Sequence, residues 1–348
     1  MSDISVIIPV YNRGELVRYT LESVRRASDG LSVETIIVDD GSEPPAMDSI
    51  ARLGFSPHLS VRQENRGLLH ARLSGLERAT GRYVLFLDSD DLVGPDKLRL
   101  QLAAMDAAGA DVSYTDSARC LLEGGFDALA ITADPPCLST RDPAEFFITV
   151  QPPPHSPVFR TDYLRRIVAG AFFPPSPLYG CVAEIWFYHN AAPRPARIAK
   201  VPGAHTIVGA HPGTRLTNHW EQLGVASLAV MEAFARTCPE TADAARARQR
   251  VAEKAFASWR RLPRGFSSEF CSRELAVWQQ LDRGGDPGKI GGPGFRALAR
   301  LFGPLRAGRL LALVQNGRYA DCRTLDDAAL QQLLGALPPP GRPIATPV

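Results

Sequence analysis

The sequence has no closely spaced cysteine pair. Its six cysteines (Cys120, Cys137, Cys181, Cys238, Cys271 and Cys322) stand far apart, with no CxxC among them. That argues against a zinc site and against a disulfide-stapled secreted fold, so the thiols are expected to be reduced. No apolar run approaches the roughly 18–20 residues a membrane span needs. The opening "MSDISVIIPVYN" lacks the basic leader and long apolar region of a signal peptide. The address these absences point to is the cytoplasm. Charge of one sign is also missing: 39 basic residues against 37 acidic leave a net charge of +2, which gives no reason to expect nucleic acid as a partner. There is no internal repeat. No GxGxxG follows the first apolar run, which disfavours a dehydrogenase. No Gly-rich phosphate loop with a basic residue stands there either, as a nucleotidyltransferase would want.

What is present is a globular composition, 45% hydrophobic and 22% charged over 348 residues, enough for one large domain or two ordinary ones. The first hundred residues alternate two patterns. "ISVIIPV" (4–10), "VETIIVDD" (33–40), "LSVRQ" (59–63) and "RYVLFL" (82–87) read as strands. "GELVRYTLESVRRA" (14–27), "AMDSIARLGF", "GLLHARLSGLERATG" (67–81, with Gly81 as its stop) and "PDKLRLQLAAMDAAG" (95–109, closed by Gly109) read as helices. Strands apolar on both faces, separated by helices, imply a mostly parallel central sheet covered by helices, an α/β fold of Rossmann-like order. "ADVSYTDSARCLLEGG" suggests a fifth strand and an antiparallel neighbour. Residues 133–220 are proline-rich, with helical patches at 143–149, 161–169 and 183–192. From 219 to 282 the pattern is helical.

In an open parallel sheet, ligands bind beyond the carboxyl ends of the strands. Three of the four early strands end in polar residues: Pro9-Val10-Tyr11-Asn12-Arg13, Asp39-Asp40-Gly41-Ser42 and Asp88-Ser89-Asp90-Asp91. Carboxylates gathered on one rim repel one another unless a cation is present. Only oxygen donors stand at these tips, which selects Mg²⁺ or Mn²⁺ over zinc. Such an ion keeps positions for phosphate oxygens, so the rim suits a nucleoside diphosphate. Arg72, on the helix after the third strand, could reach a phosphate or base. The plainer alternative is that Asp40 caps the following helix and that Asp90 or Asp91 caps the one near Pro95. Three coincident strand ends are harder to explain that way.

These stretches, with "IIVDDGS" (36–42) and "ENRGLLHARLSGLERATGRYVLFLDSDD" (64–91), resemble the inverting nucleotide-sugar transferases of glycosyltransferase family 2, which have the GT-A fold. The likeness is close over about residues 1–110 and weaker to about 220. It implies that Pro9, Val10, Tyr11, Asn12 and Arg13, with Asp39 and Asp40, hold the base and ribose of the donor, a nucleotide diphospho-sugar, with a UDP-sugar the expected one. Arg72 would sit near the base or diphosphate. Asp88-Ser89-Asp90 matches the family's DxD motif, with Asp88 and Ser89 on the nucleotide and Asp90 on the metal. The family places an acidic pair followed by Trp at its catalytic base. Here Glu184-Ile185-Trp186 stands there, with Ile185 in place of the usual Asp. Glu184 is the remaining candidate base, or else an exposed helix carboxylate. "GAHPGTRLTNHW" (209–220) resembles the segment that closes over the diphosphate, with His211 as metal ligand and Arg215 as phosphate partner. His155, Ser156 and Trp186 would lie on the acceptor side. The acceptor implied is a hydroxyl of a glycan, a glycolipid or a similar molecule. A rival reading, prompted by Ile185, is a sugar-nucleotide-binding protein that has lost transfer.

The expected organisation is a GT-A domain at 1–218 (nucleotide half 1–110, acceptor half 111–218), a helical region at 219–335 and a disordered tail at 336–348. Gly and Pro at 284–294 suggest a loop or hinge. Beyond it, Phe295, Leu298, Phe302 and Leu305 form a helical stripe, with Arg296 and Arg300 off it and a break at Pro304. That pattern fits a helix packed on its own protein with a solvated basic face. It also fits a basic amphipathic helix over 294–315 that meets the inner face of a membrane.

Overall fold

A computed structural model of the chain describes residues 2–213, 218–282 and 290–339. The nine strands are β1 (Ile4–Val10), β2 (Val33–Asp39), β3 (Leu59–Arg62), β4 (Tyr83–Phe86), β5 (Leu92–Val93), β6 (Val112–Leu121), β7 (Thr132–Ala133), β8 (Val158–Arg160) and β9 (Ile198–Ala210). They form one sheet in the order β3-β2-β1-β4-β8-β6-β9-β5, with β7 on β6. The helices between the early strands are α1 (Val17–Ala27), α2 (Ala46–Arg52), α3 (Leu68–Arg78) and α4 (Lys97–Ala108). Then come α5 (Thr161–Ala169), α6 (Ala183–Ala191), α7 (Trp220–Thr237), α8 (Ala242–Arg261), α9 (Ser268–Leu281), α10 (Pro293–Phe302), α11 (Pro304–Gln315) and α12 (Asp327–Gly335).

The strand–helix alternation is realised as expected. β3, β2, β1 and β4 pair in parallel, and every residue of β1 is buried. Ile4, Val6, Ile8, Leu85 and Leu87 join Val17, Leu21, Val24 and Leu98 in one core. α3 lies close on the sheet because Gly75 presents no side chain: a Cβ there would come 2.3 Å from Ile7 Cγ2. Pro9 is tolerated in a central strand because the β1–β4 pairing ends at Ile7↔Phe86, so its missing N–H costs that ladder nothing.

The other half of the sheet is mixed, not parallel: β8 runs antiparallel to both β4 and β6, while β9 runs parallel to β6 and antiparallel to β5. β9 was hidden in the sequence by Pro202 and Gly203. It survives them because β6 breaks register between Thr115 and Ser117, so Pro202–His205 bow out opposite Asp116. Gly81 is not the stop of α3, whose C-cap is Ala79. Gly81 is required because a Cβ would meet Ser5 N at 2.4 Å. Gly109 does close α4, in the left-handed region at φ 57°.

Two compact units divide the chain. The first is Met1–Phe146, Val150–Ala171 and Pro195–Thr214; the second is Phe147–Thr149, Phe172–Arg194 and Arg215–Val348. The first holds the sheet. The second joins α6 to the C-terminal helices, so the segment carrying Glu184, expected within the acceptor half of 1–218, groups with residues beyond it. All six cysteines are free thiols. Among the described residues no helix is long and apolar enough to cross a membrane. Most of the tail and of the 284–294 stretch lies outside the described residues.

Candidate active site

Parallel pairing brings the tips of β2, β1 and β4 to one edge of the first unit, where the polar signatures meet. The two carboxylates after β2 are held locally. Asp39 accepts from Ser42 N (2.8 Å) and Ala46 N (3.0 Å), capping α2. Asp40 accepts from Gln63 Nε2 (2.7 Å), Arg66 N (3.0 Å) and Gly67 N (2.8 Å), which fixes the approach to α3. Both side chains are buried; the N-cap position of α2 is Pro45, and it is Asp39, where Asp40 was expected, that takes the helix's first N–H. The β1 tip is tied to this turn: Asn12, at φ 49°, donates from its N–H to Ser42 Oγ (3.1 Å) and accepts from Glu43 N (2.9 Å). Tyr11 is half exposed beside it. Pro9 and Val10 are buried strand residues, so any contact they offer a ligand is through the backbone.

The turn after β4 divides its labour. Asp91 N donates to Asp88 O at 3.0 Å. Asp91 then anchors the turn: its Oδ1 accepts from Gly209 N (2.9 Å), its Oδ2 lies 3.0 Å from His155 Nδ1, and its carbonyl accepts from Thr20 Oγ1 (2.9 Å). Neither Asp90 nor Asp91 caps α4; its N-cap position is Asp96. Ser89 is buried. Asp88 and Asp90 stay partly exposed. Asp88 Oδ1 accepts from Arg72 Nη2 at 2.6 Å, and Arg72 is fully buried with its guanidinium 5.8 Å from the Phe86 ring. Asp90 Oδ2 lies 3.0 Å from His211 Nε2 and 3.6 Å from Arg13 Nη2. Of the sequence candidates, Arg72 thus meets Asp88, and Arg13 and His211 meet Asp90.

Asp90 and His211 offer two metal-type donors at one point. Among the described residues no group of three His, Cys, Asp or Glu could hold an ion alone. Two donors fit a hard cation whose remaining positions are taken by phosphate oxygens and water. Gly213 N donates to His211 Nδ1 at 3.1 Å, which leaves the ring proton on Nε2, facing Asp90. Ligation through Nε2 therefore requires that proton to move to Nδ1 and the Gly213 contact to break.

Three acceptor-side expectations are corrected by burial. His155 is fully buried, with Nδ1 at Asp91 and Nε2 3.2 Å from Ile207 O. Ser156 is fully buried and its Oγ donates to Thr115 O at 2.8 Å. Neither lines an open pocket. In the second unit Trp186 is fully buried, donating from Nε1 to Phe173 O (3.2 Å). Glu184 is partly exposed in the first turn of α6, where the helix dipole favours a carboxylate. Arg215 lies outside the described residues.

Two residues escaped the sequence reading. A Cβ on Gly209 would come 2.1 Å from Asp90 O, so only glycine lets β9 approach the acidic turn. Its signal was a glycine two positions before His211. Lys97 is fully buried, donating to Ser156 O (3.0 Å) and Thr206 Oγ1 (3.0 Å), and burial pushes its pKa well down.

The fold matches solved structures with bound nucleotide sugars. S. aureus TarS residues 1–349, in complex with UDP-GlcNAc, gives a TM-score of 0.59 at 16% identity, covering 89% of this chain and 90% of that one. Mannosyltransferase PcManGT from Pyrobaculum calidifontis, in complex with GDP-Man and Mn²⁺, gives 0.50 at 16% identity, covering 90% and 87%. At such identities the likeness establishes the fold alone, which is of the GT-A class. In sequence, Succinoglycan biosynthesis protein ExoO of Rhizobium meliloti (strain 1021) is 34% identical over 126 residues, 35% of each chain. TuaG of Bacillus subtilis (strain 168) is 40% identical over 115 residues, 32% of this chain and 45% of that one. This chain therefore spans under half the length of either relative. Residues 5–168 match Glycosyl transferase family 2.

Proposed function

We propose that the chain is a metal-dependent inverting glycosyltransferase. It would take a nucleotide diphospho-sugar, a UDP-sugar, and deliver the sugar to a hydroxyl of a glycan or lipid-linked acceptor. The observation that carries this reading is the convergence of Arg72–Asp88 and Asp90–His211 on the strand edge beside the Asn12 turn. The name of ExoO supports a glycan product, and the TarS complex supports a uridine donor.

In this reading the backbone around Tyr11–Arg13 and the fixed Asp39–Asp40 turn shape the base and ribose pocket. Asp88, oriented by Arg72, accepts from the ribose. Asp90 and His211 would hold the divalent cation, which neutralises charge on the departing diphosphate. Glu184 takes the proton of the acceptor hydroxyl as that oxygen bonds to the anomeric carbon from the face opposite the leaving group. The C–O bond to the diphosphate breaks, and the nucleoside diphosphate leaves with the bonding electrons. The GT-A domain is assigned to residues 1–218.

Calorimetry of UDP with Mn²⁺ tests the donor half. Wild type should bind, and Asp90→Ala should lose the metal-dependent part of the affinity; equal affinities would refute the metal assignment. Glu184→Gln should still bind the donor while transfer falls by about 10²–10⁴-fold. Ile185 motivates one second reading, a nucleotide-sugar-binding protein without transfer. Wild type that binds donor yet neither transfers nor hydrolyses it would favour that reading.

A further inference from the structure

The apolar stripe expected on residues 295–305 mostly turns inward. Phe295 and Ala299 of α10 and Ala307 of α11 are buried around Phe256 of α8, with Leu298, Leu305, Leu311 and Trp259 packed on them. Gly308 lets α11 lie on that surface, since a Cβ would come 2.6 Å from the Trp259 ring. The helix breaks at Gly303, in the left-handed region at φ 80°, and Pro304 starts α11. That break leaves a different apolar surface outside. Leu301 is 75% exposed, Leu313 63% and Val314 85%, with Phe302 and Leu310 about half exposed. Five of the nine large hydrophobic side chains exposed among the described residues thus fall within fourteen positions, 301–314.

Their neighbours are cationic. Arg296, Arg300, Arg306 and Arg309 are exposed on the same two helices, and residues 290–320 contain no Asp or Glu. At about 100° per residue, Arg306, Arg309, Leu310, Leu313 and Val314 share an arc of about 140° on α11, while Gly308 and Leu311 point the other way. A soluble helix normally puts its apolar arc on the core and charge of both signs outside. Here the outer arc is apolar with one sign of charge. A second copy of the chain fits it poorly: a two-fold contact would set arginines against arginines with no carboxylate between them. A phosphate-bearing lipid surface meets both halves of the pattern. The Leu, Val and Phe side chains enter the acyl boundary, and the arginines reach the phosphates.

We infer that the outer face of α10–α11 is a docking surface for an anionic bilayer, holding the protein peripherally. The test is flotation of the full chain with vesicles of phosphatidylcholine alone or mixed with phosphatidylglycerol. Wild type should float with the anionic vesicles and not the neutral ones, and salt should release it. Arg306→Ala/Arg309→Ala should lower partitioning about thirtyfold, from about fivefold per arginine. Leu313→Ser/Val314→Ser should lower it at least about tenfold while leaving the charge unchanged. Both pairs are surface changes, and circular dichroism with a melting curve verifies that they fold. Wild type that stays unbound to anionic vesicles at low salt overturns the inference. So do variants that float like wild type. If the variants instead turn a wild-type dimer into a monomer by light scattering, the face belongs to a second copy. Flotation reads binding alone, so its failure leaves the transferase reading untouched.

Discussion

Glu274 should make the second unit lose stability as pH rises. Its carboxyl sits on α9 at 1% exposure, and its Oε2 has no hydrogen-bond partner among the described residues. Burial raises its pKa from 4.5 to about 8, against a smaller opposing pull from a hydrogen bond with Ser258. Between those two values the folded state binds a proton that the unfolded state has released. Stability therefore falls with pH across that window, is intact below it and levels off above it. At about 1.4 kcal/mol per pH unit, the loss by pH 7 is on the order of 3 kcal/mol. Glu274→Gln removes the titration, at the cost of burying an amide N–H₂. The quantity to follow is therefore the difference between variant and wild type, which should grow by about 3 kcal/mol in the variant's favour from pH 4.5 to 7. The assay is urea unfolding at a series of pH values, read by tryptophan fluorescence. All four tryptophans (Trp186, Trp220, Trp259 and Trp278) belong to the second unit, so the signal reports that unit. A difference that stays flat with pH, or one that shrinks, would refute the reasoning.

Two further predictions concern the first unit. Arg72→Met removes the fully buried partner of Asp88; because Asp88 can still reach water, the cost should lie near the lower end of about 3–5 kcal/mol. Adding Asp88→Asn should recover part of it, and strictly additive losses in the double-mutant cycle would disprove the coupling. Gly209→Ala forces a carbon against Asp90 O and should cost about 1–3 kcal/mol. It should also weaken UDP binding in Mn²⁺ by displacing the acidic turn; a variant with wild-type melting temperature and affinity would show that the turn yields freely.

The nucleotide half was legible because two signals agreed. Period and turn chemistry fixed β1 to β4 and their helices, and the strand ends carried unlike polar motifs that only parallel pairing brings together. Asp88, Asp90 and Arg72 were candidates on that ground, and His211 came only from the resemblance of 209–220 to the family's closing segment. The rest was hidden for physical reasons. β9 carries a proline and two glycines, which read as loop until a register break in β6 gives them room. Asp39 and Asp40 look like ligand carboxylates in one dimension, but in the structure Asp39 accepts from amides of the next turn and Asp40 from Gln63, Arg66 and Gly67, which lie beyond β3. His155 was put on the acceptor side by its segment's resemblance to the family, whereas it stands behind Asp91 in the core. The stripe was expected to break at Pro304 and does so, between Gly303 and Pro304; what the sequence left hidden was which residues of the second helix face outward.

The acidic turn after β4 alternates along its length: Asp88 and Asp90 reach outward, Ser89 and Asp91 inward. The alternation belongs to a four-residue turn closed by Asp91 N on Asp88 O, beyond the end of β4. Inserting or deleting a single residue there would open that closure and carry the anchor away from Gly209 and His155, although every acid remained present. The turn should therefore tolerate exchanges of chemistry better than changes of length.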